Sequence, residues 1–548
     1  MKPILAFYGI QDRYSGAYPS FTHDHNLTLF QDGKVRNYIH LERLTRRKND
    51  NRLSEYIEEI IDNQLLLKED FELVSVSSFV GNSFISKNGR LRVESTTLPT
   101  VDVLNAANGW FQKSSCQEKA IPSWIVSQEL AHVFSCLPFF GNFKENSLLI
   151  HFDGGASMGN FSAFHFKKNQ LQTLECHWEL SHLSKIFNDN ALAFSLMKAA
   201  PEAHCSVPGK LMGYATMGQA DNNLEKWLIE NNYFKDIWND PMPFYLAAQK
   251  LGWNGNLNQN EDPFLMNVAA SLQSIFQKET VNKIQSLQKN TKAEYLYYTG
   301  GCALNITTNS KIIQSNLFKD VFIPPACNDS GLSLGAAAFL NWKRNNPIDR
   351  HSAYLNFEKK QSPISFSNNT ITEVADRIIA GQIIGICNKK GEAGPRALGN
   401  RSIVARLDNK AIAKQVSMNC KGREWFRPIA PIMLERYAKQ VTGLQSIHHL
   451  SKFMLLDFPI LEKYNAQLSG VIHKNNTARI QTIFSRQENP FMHDLLDYLA
   501  QHHHQLGLIN TSFNYQGEPI VQTKEEAFLA AQKMQLNGVV LDGKFQAL

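Results

Sequence analysis

The sequence predicts an α/β protein built from two large domains. Its 548 residues exceed what a single hydrophobic core usually organises. Short apolar segments that end in glycine turns recur along the chain, and helical patterns follow them. A polar stretch rich in Pro, Asn and Ser interrupts this series, which predicts a first domain at 1–345, a linker at 346–369 and a second domain at 370–548.

The first apolar segments form a predicted hairpin. ILAFYGI and NLTLF lead through the turn Gln31-Asp32-Gly33 into VRNYIHL. His23 and Asp24 directly precede the second of these segments. Such a pair can orient a substrate hydroxyl or act as a base, so both are candidate catalytic residues, with a plain turn as the alternative.

A candidate metal site follows in the first domain. In SQELAHVFSCLPFF a helical period places Gln128 and His132 on one face, and imidazole is a good ligand for transition metals. Asp153 ends the apolar strand SLLIHF, and Asp329 follows the Pro-rich segment IPPACN. Carboxylates at such positions suit a divalent cation. A hydrogen-bonded core histidine is the alternative for His132.

The glycine turns of the first domain are candidate phosphate-binding loops. Glycine lets the backbone approach a phosphate closely, as it does in actin-like ATPases. Each glycine pair alone is typical of an ordinary turn, but their order and their position after apolar strands favour a nucleotide site. The candidate nucleotide-binding residues are Gly154, Gly155, Gly300, Gly301 and Asn305.

The second domain concentrates basic residues beside glycines and prolines, in GEAGPRALGNRS, KGREWFRPIAP and NNTARIQ. Guanidinium groups match phosphate oxygens bidentately, so this placement predicts a pocket for two phosphate-bearing substrates. The strand end LGLINTS adds amide and hydroxyl groups. A surface salt-bridge network is the alternative. The candidate binding residues are Arg396, Arg401, Lys421, Arg423, Arg427, His473, Arg479, Asn510, Thr511 and Ser512.

Composition narrows the class of protein further. The 43% hydrophobic and 19% charged residues are typical of a globular chain and not of a disordered one. No apolar run reaches the roughly 18 residues that a bilayer crossing needs, and the first residues do not form a signal peptide, so we expect a cytoplasmic protein without a membrane partner. The net charge of +6 leaves a polyanionic partner open.

These motifs resemble the O-carbamoyltransferases of nodulation-factor and antibiotic biosynthesis, such as the tobramycin and novobiocin enzymes. The resemblance covers nearly the whole chain. The segments that carry it are HDHNLTLFQDGKV, ERLTRRK, LAHVFSCLPF, DGGAS, GKLMGYATMG, TGGCALN, PPACNDSGLSLGAA, GEAGPRALGNRSI, REWFRPIAPIML, TARIQ and NTSFNYQGEPIV.

The resemblance implies an actin-like ATPase (Kae1-like) domain followed by a YrdC-like α/β domain. It also implies a two-step reaction. The second domain forms carbamoyl-adenylate from carbamoyl phosphate and ATP, and the first domain transfers the carbamoyl group to an acceptor hydroxyl beside a bound metal, which is Fe²⁺ in the family. The metal ligands of the family fall on His132, Asp153 and Asp329, and its proposed catalytic histidine falls on His23. A homodimer is one of the expected assembly states.

The chain departs from the family pattern at three places. The family has a histidine four residues before His132, where this chain has Gln128 with Glu129 beside it. The resemblance implies Fe²⁺, but an amide oxygen is a harder ligand than imidazole, so Mg²⁺ or Mn²⁺ is the alternative ion here. The stretch GIQDRYSGAYPSFT is longer than usual. In the TAR motif, the usual Asp-Gly is Asn475-Asn476.

The acceptor is the least determined part of the function. A hydroxyl-bearing small molecule is the main expectation. The basic charge also permits a hydroxymethylated base in DNA as acceptor, which would need extrusion from the duplex or a single strand. A non-catalytic nucleotide-binding homologue that lost its metal site through Gln128 is a third interpretation.

Overall fold

The structure is a computed structural model. It describes residues 2–9, 22–65, 67, 71–78, 83–93, 110–116, 119–184, 186, 205–234, 240–356 and 364–548. Most of the long stretch GIQDRYSGAYPSFT, residues 10–21, lies outside the described residues. Residues 357–363 of the predicted linker lie outside them as well.

The first sheet has eight strands in the order β3-β2-β1-β4-β8-β7-β6-β5. β1 pairs antiparallel with β2 and parallel with β4, and β4 pairs parallel with β8. The predicted hairpin is present as the antiparallel pair β2 and β3. The strands are β1 Ile4–Tyr8, β2 Asn26–Gln31, β3 Lys34–His40, β4 Glu72–Val76, β5 Phe84–Ile85, β6 Leu91–Val93, β7 Trp110–Cys116 and β8 Lys119–Val126.

The second sheet repeats the order of the first five strands of sheet one. Its order is β11-β10-β9-β12-β13, with two antiparallel pairs followed by two parallel pairs. This duplicated arrangement is that of the actin-like fold, so the α/β fold class predicted for the first domain is confirmed. The strands are β9 Ser147–Phe152, β10 Phe161–Lys167, β11 Gln170–His177, β12 Tyr295–Thr299 and β13 Asp320–Phe322.

Two helices lie between these sheets and position the first candidate site. Gln128–Phe134 and Leu332–Lys343 pack against each other, and their apolar side chains join one core with residues of both sheets. The helix at 128–134 is buried on all sides, since every residue in it is buried. Its first turn is capped by the Ser127 hydroxyl, which accepts from the Leu130 amide at 3.2 Å. Polar side chains of this helix therefore face the interior.

The remaining α-helices of the first domain include Leu137–Phe140, which packs against Leu332–Lys343, and a series of helices between β11 and β12. Among the described residues, none of the helices combines the length and the apolar character that a membrane span requires. The α-helices are Leu41–Thr45, Leu53–Glu59, Leu137–Phe140, Ser181–Ser184, Val207–Ala215, Asn222–Glu230, Met242–Gln249, Pro263–Thr291 and Ile306–Gln314.

The second half is also α/β, as predicted. A mixed seven-stranded sheet runs in the order β19-β16-β20-β15-β14-β21-β22, and β17 pairs with β18 beside it. The strands are β14 Ile384–Cys387, β15 Arg401–Arg406, β16 Ala430–Leu434, β17 Phe458–Pro459, β18 Thr477–Ala478, β19 Gln481–Ile483, β20 Leu508–Ser512, β21 Gly538–Leu541 and β22 Lys544–Ala547. The α-helices are Asn368–Ile379, Lys410–Lys414, Glu435–Thr442, Pro490–His503 and Lys524–Lys533.

The two halves are in direct contact near both candidate sites. Gly394 has a φ of +89°, and a Cβ atom built on it would lie 2.2 Å from the carbonyl oxygen of Pro325. Arg43 donates to the Gly394 carbonyl at 3.0 Å. A side chain at position 394 would therefore separate the loop that carries Arg396 from the loop that leads to Asp329. The domain boundaries themselves stay a prediction.

Candidate functional site

The carboxylate of Asp153 is held where β9 gives way to a glycine turn. Its two oxygens accept from the amide of Gly154 at 2.6 Å and from the amide of Gly301. A Cβ atom on Gly301 would lie 3.2 Å from the same carboxylate. The two glycine turns predicted from the sequence thus meet at one carboxylate, because β9 and β12 are parallel neighbours and end at the same edge of the sheet.

His132 connects Asp153 to Asp329. Its Nδ1 lies 3.1 Å from the carbonyl oxygen of Cys327, which fixes the ring. Its Nε2 then lies 3.3 Å from Asp329 Oδ1 and 3.7 Å from Asp153 Oδ2. A histidine whose Nδ1 donates to a carbonyl while Nε2 faces two carboxylates has the arrangement of a metal ligand with its outer partner.

The electrostatics of these groups also favour a cation. Burial and the nearby charge of Asp329 raise the pKa of Asp153 above its ordinary value. Burial opposes protonation of His132, but the hydrogen bond to Asp329 and the charges of both carboxylates outweigh it and raise the pKa of His132. Two facing carboxylates and an imidazole nitrogen are a donor set that fits a divalent metal.

His23 and Asp24 adjoin this set. His23 Nδ1 lies 3.0 Å from Asp24 Oδ2 and 3.9 Å from Asp329 Oδ2. Asp24 has a φ of 56°, and its other oxygen is 3.1 Å from His40 Nε2. Burial opposes ionisation of Asp24, but the hydrogen bonds from His23 and His40 outweigh it and lower its pKa. An ionised Asp24 therefore orients His23 toward the candidate metal residues.

Gln128 lies beside the candidate metal ligands, as the sequence predicted, but its amide NH₂ group faces Asp329. Its Nε2 donates to Asp329 Oδ1 at 3.3 Å. Glu129 faces elsewhere, because its carboxylate accepts from the amides of Met158 at 2.6 Å and Gly159 at 3.1 Å. Gln128 thus orients Asp329, and its role as a metal ligand stays a prediction.

The glycine candidates for nucleotide binding lie in the turns, whereas the Asn305 side chain is already hydrogen-bonded within the protein. A Cβ atom on Gly300, whose φ is +94°, would lie 2.1 Å from the carbonyl oxygen of Phe152, and no atom lies within 4 Å of a Cβ atom built on Gly154. Gly155, in the same turn, is half-buried. The Asn305 side chain is occupied instead, because it accepts from the Thr308 amide and exchanges two hydrogen bonds with Gln273.

The structure brings most of the basic candidates of the second half together. We call Arg396, Lys421, Arg423, Arg427 and Arg479 the cationic cluster. Burial is the main cause that lowers the pKa of each of these five groups. The neighbouring guanidinium groups lower the pKa values of Arg423 and Arg479 further. In the described part of the chain, the Nε atoms of Arg396 and Arg479 are buried without a hydrogen-bond partner.

Ser512 and His473 border the cationic cluster. The ammonium of Lys421 donates to the Ser512 carbonyl and to Asn514, and Arg423 Nη2 lies 3.5 Å from the Ser512 hydroxyl. His473 Nδ1 lies 3.1 Å from the Thr477 hydroxyl. Burial, with a smaller effect of the Arg479 charge, lowers the pKa of His473 to about 4. His473 is therefore neutral at pH 7.

Arg401 and Asn510 do not belong to the cationic cluster. The guanidinium of Arg401 is fully buried and donates to four backbone carbonyls, those of Asn388, Lys389, Asn400 and Gln522. The Asn510 amide donates to Ala397 and Gln481. Thr511, between Asn510 and Ser512 in β20, is buried. The guanidinium of Arg401 is thus occupied by backbone groups.

Four residues near the first site were not predicted from the sequence. Tyr8 in β1 donates to Asp329 Oδ2 at 3.3 Å across 321 positions of sequence, which no local pattern reveals. His40 contacts Asp24. Burial opposes protonation of His23, but the charge of Cys205 and the hydrogen bonds of His23 to Asp24 and Cys205 outweigh it and raise the pKa of His23. His151 stacks on His132 with ring centroids 4.8 Å apart. The strand period could have found His151, since it stands two residues before Asp153.

Comparison with known proteins identifies the family. The profile "Carbamoyltransferase N-terminus" matches residues 123–338, and the profile "Carbamoyltransferase C-terminus" matches residues 375–546. Nodulation protein NolO of Bradyrhizobium diazoefficiens is 32% identical over 291 residues, which cover 50% of this chain and 53% of NolO. Nodulation protein NolNO of Sinorhizobium fredii is 26% identical over 95% of this chain and 78% of its own length. The chain thus spans about half the length of NolO.

One solved structure aligns with part of this chain. The crystal structure of full-length HypF in its phosphate- and nucleotide-bound form aligns with 62% of this chain and 55% of its own, at 14% identity and a TM-score of 0.34. The family assignment depends on the sequence profiles instead, and the resemblance drawn from the motifs is confirmed by them. Since the two profiles describe the two halves of one family and together match well over half of the residues, the chain belongs to the carbamoyltransferase family.

Proposed function

We propose that this protein is an ATP-dependent O-carbamoyltransferase that forms carbamoyl-adenylate and transfers its carbamoyl group to the hydroxyl of a small molecule. The observation that carries the proposal is the cationic cluster, in which Lys421 is buried and the four guanidinium groups are half-buried. Cationic groups that are partly removed from water and lie beside one another are costly unless anions compensate them. Two phosphate-bearing substrates, carbamoyl phosphate and ATP, would provide that compensation in a carbamoyltransferase.

The first half-reaction is assigned to the cationic cluster. Water converts carbamoyl phosphate to carbamate and phosphate, and a carbamate oxygen then attacks the α-phosphorus of ATP and displaces pyrophosphate. Arg396, Arg423, Arg427 and Arg479 hold the phosphate oxygens, and their charges stabilise the negative charge that develops on the pyrophosphate. Lys421, anchored by Ser512 and Asn514, fixes the strand end against the loop.

The second half-reaction is assigned to the site around Asp153. His23, oriented by Asp24, in its neutral form accepts the proton of the acceptor hydroxyl while the hydroxyl oxygen attacks the carbamoyl carbon and AMP leaves. A divalent cation held by His132, Asp153 and Asp329 would offset the repulsion between the two carboxylates and polarise the adenylate. The turn at Gly154, where no atom lies within 4 Å of a built Cβ atom, leaves room for the nucleotide.

The proximity of the two sites supports this division. Arg396 of the cationic cluster interacts with Cys327, whose carbonyl oxygen lies 3.1 Å from His132 Nδ1. The loops that carry them are in contact at Gly394 and Pro325. A carbamoyl-adenylate, which water hydrolyses readily, would therefore have a short path from one site to the other.

The test separates the half-reactions in the full chain. The protein is incubated with ATP and carbamoyl phosphate, first alone and then with a panel of alcohols and hydroxymethylated DNA. We expect pyrophosphate release, and a mass gain of one carbamoyl group on an alcohol. Arg423→Ala should abolish pyrophosphate release, whereas Asp153→Asn should retain it and lose transfer. Arg436→Ala, at an exposed arginine of the same half, is the control.

Two results would contradict the proposal. No ATP-dependent pyrophosphate release from the unaltered protein would remove the adenylate step. Carbamoylation confined to the hydroxymethylated DNA would replace the small-molecule acceptor with a nucleic acid, and a steep loss of activity with salt would accompany it.

A further inference from the structure

We propose that His151 is a metal ligand of this chain and takes the place of the family histidine that Gln128 replaces. The inference rests on the proposed metal site and concerns which side chains complete it. The ring nitrogens of His132 and His151 and a carboxylate oxygen of Asp153 lie within 4.8 Å of one another. The second imidazole thus comes from β9 and not from the helix at 128–134.

The period of β9 places His151 toward the site. Leu148, Ile150 and Phe152 belong to the core on the outer face of the second sheet, whereas Leu149 belongs to the core that contains the helix at 128–134. Because side chains alternate along a strand, His151 shares the face of Leu149. The backbone at His151 pairs with Ser162 of β10 and Thr299 of β12, so its position is fixed from both sides.

The imidazole of His151 lacks any other function in the described structure. The residue is fully buried, and neither ring nitrogen has a hydrogen-bond partner among the described residues. Its ring stacks on that of His132 at an interplanar angle of 23°. A buried imidazole without partners costs free energy relative to an apolar side chain of similar size, so its presence calls for a ligand.

Gln128 is less suited than His151 to replace the missing histidine ligand of the family. Its Nε2 donates to Asp329 Oδ1, and an amide NH₂ group cannot coordinate a cation. With His151 the set contains two imidazole nitrogens and the carboxylates of Asp153 and Asp329. Two imidazoles favour a borderline transition metal such as Fe²⁺ or Co²⁺ over Mg²⁺. The inference therefore reverses the harder-ion preference that Gln128 alone suggests.

The experiment counts imidazoles on the metal. The full chain is stripped with a chelator and loaded with Co²⁺, whose absorption spectrum reports affinity and geometry. The X-ray absorption spectrum of the unaltered, Co²⁺-loaded protein should show scattering from two imidazole ligands, and this measurement requires no substitution. His151→Phe should leave one imidazole ligand. It should also weaken Co²⁺ binding by more than the roughly 10- to 100-fold that loss of an outer partner costs.

Three further variants exclude other sources of the second imidazole and of the effect. His23→Gln should retain both imidazole ligands, although His23 is also close to Asp329. Gln128→Ala should change Co²⁺ affinity much less than His151→Phe does. His165→Gln, on the neighbouring strand and hydrogen-bonded to Asn146, should change nothing. Melting temperatures of the metal-free variants show whether they fold.

The outcomes separate this inference from the proposed metal site. If the unaltered protein binds no Co²⁺, both the metal site and the role of His151 are wrong. If it binds Co²⁺ with one imidazole, or if His151→Phe keeps the parent spectrum and affinity, His151 is not a ligand while the metal site stands. One imidazole together with loss of binding in Gln128→Ala would return the ligand role to Gln128.

Discussion

The ammonium of Lys210 lies 2.6 Å from the carboxylate of Glu424, and this ion pair joins the helix Val207–Ala215 of the first half to the loop that carries Arg423 and Arg427. The same helix packs on that loop through Tyr214 and Phe426, whose ring centroids are 5.1 Å apart. Glu424 also lies 3.5 Å from Arg427 Nη1. Lys210 therefore neutralises a carboxylate that competes with phosphate for the cationic cluster.

Replacing Lys210 should weaken substrate binding in the second half. In Lys210→Met the unneutralised Glu424 attracts Arg427 and repels phosphate, so we expect KM for carbamoyl phosphate to rise about tenfold or more, as for loss of one charge-assisted contact. Adding Glu424→Gln should restore much of the loss, and Lys210→Arg should retain parent behaviour. Lys278→Met, which breaks an ion pair with Glu225 in the first half, is the control. An unchanged KM in Lys210→Met would refute this role.

Replacing Arg401 should destabilise the fold. Its guanidinium donates to four backbone carbonyls, so Arg401→Met removes these hydrogen bonds and should lower the free energy of unfolding by about 3 kcal/mol. Urea unfolding measures the effect, and Arg436→Met, at an exposed arginine, should change stability by less than about 0.5 kcal/mol. A variant with parent stability and a raised KM for ATP would instead support the direct phosphate contact that the sequence predicted.

His473 should make stability depend on pH between about 6.5 and 4. Burial lowers its pKa to about 4 in the folded protein, whereas the unfolded chain binds the proton near pH 6.5. The unfolded state thus binds more protons in this window, so stability falls as pH falls, by up to about 3 kcal/mol at pH 4. His473→Gln should flatten the dependence. Urea unfolding at pH 7 and pH 5 in phosphate-free buffer checks this, and parallel curves for both proteins would contradict it.

At pH values above the ordinary pKa of an aspartate, Asp320 should stabilise the contact between the two halves. Its Oδ1 lies 3.2 Å from His448 Nε2 and 3.1 Å from His449 Nε2. Burial opposes ionisation, but these hydrogen bonds outweigh it and lower the pKa of Asp320. The contribution is present above about pH 4 and is lost as pH falls below it.

Asp320→Asn should therefore lower the free energy of unfolding by about 1 kcal/mol at pH 7, and by less as the pH approaches 3. Asp376→Asn, which removes a more exposed contact with His503, serves as the control. Equal losses for Asp320→Asn at both pH values would show that ionisation of Asp320 does not matter.

The sequence alone determined the local parts of this protein. Strands that end in glycine turns, the buried helix with His132, and the basic segments of the second half are all set by short-range patterns of apolar and special residues. For this reason the α/β class, the carbamoyltransferase family and the loops of both candidate sites could be predicted. His132, Asp153 and Asp329 converge as expected, since Asp153 follows β9 at the edge of the sheet and the buried helix brings His132 to both carboxylates.

Only the tertiary structure decided which of several chemically similar side chains do which task. Arg396 and Arg401 stand five positions apart in one motif, yet one faces the cationic cluster and the other supports the backbone. The contact of Tyr8 with Asp329 and that of Lys210 with Glu424 join segments distant in sequence. Local periodicity specifies which face a residue occupies, whereas the partner it meets there depends on how the sheets and the two halves pack, and that is a property of the whole chain.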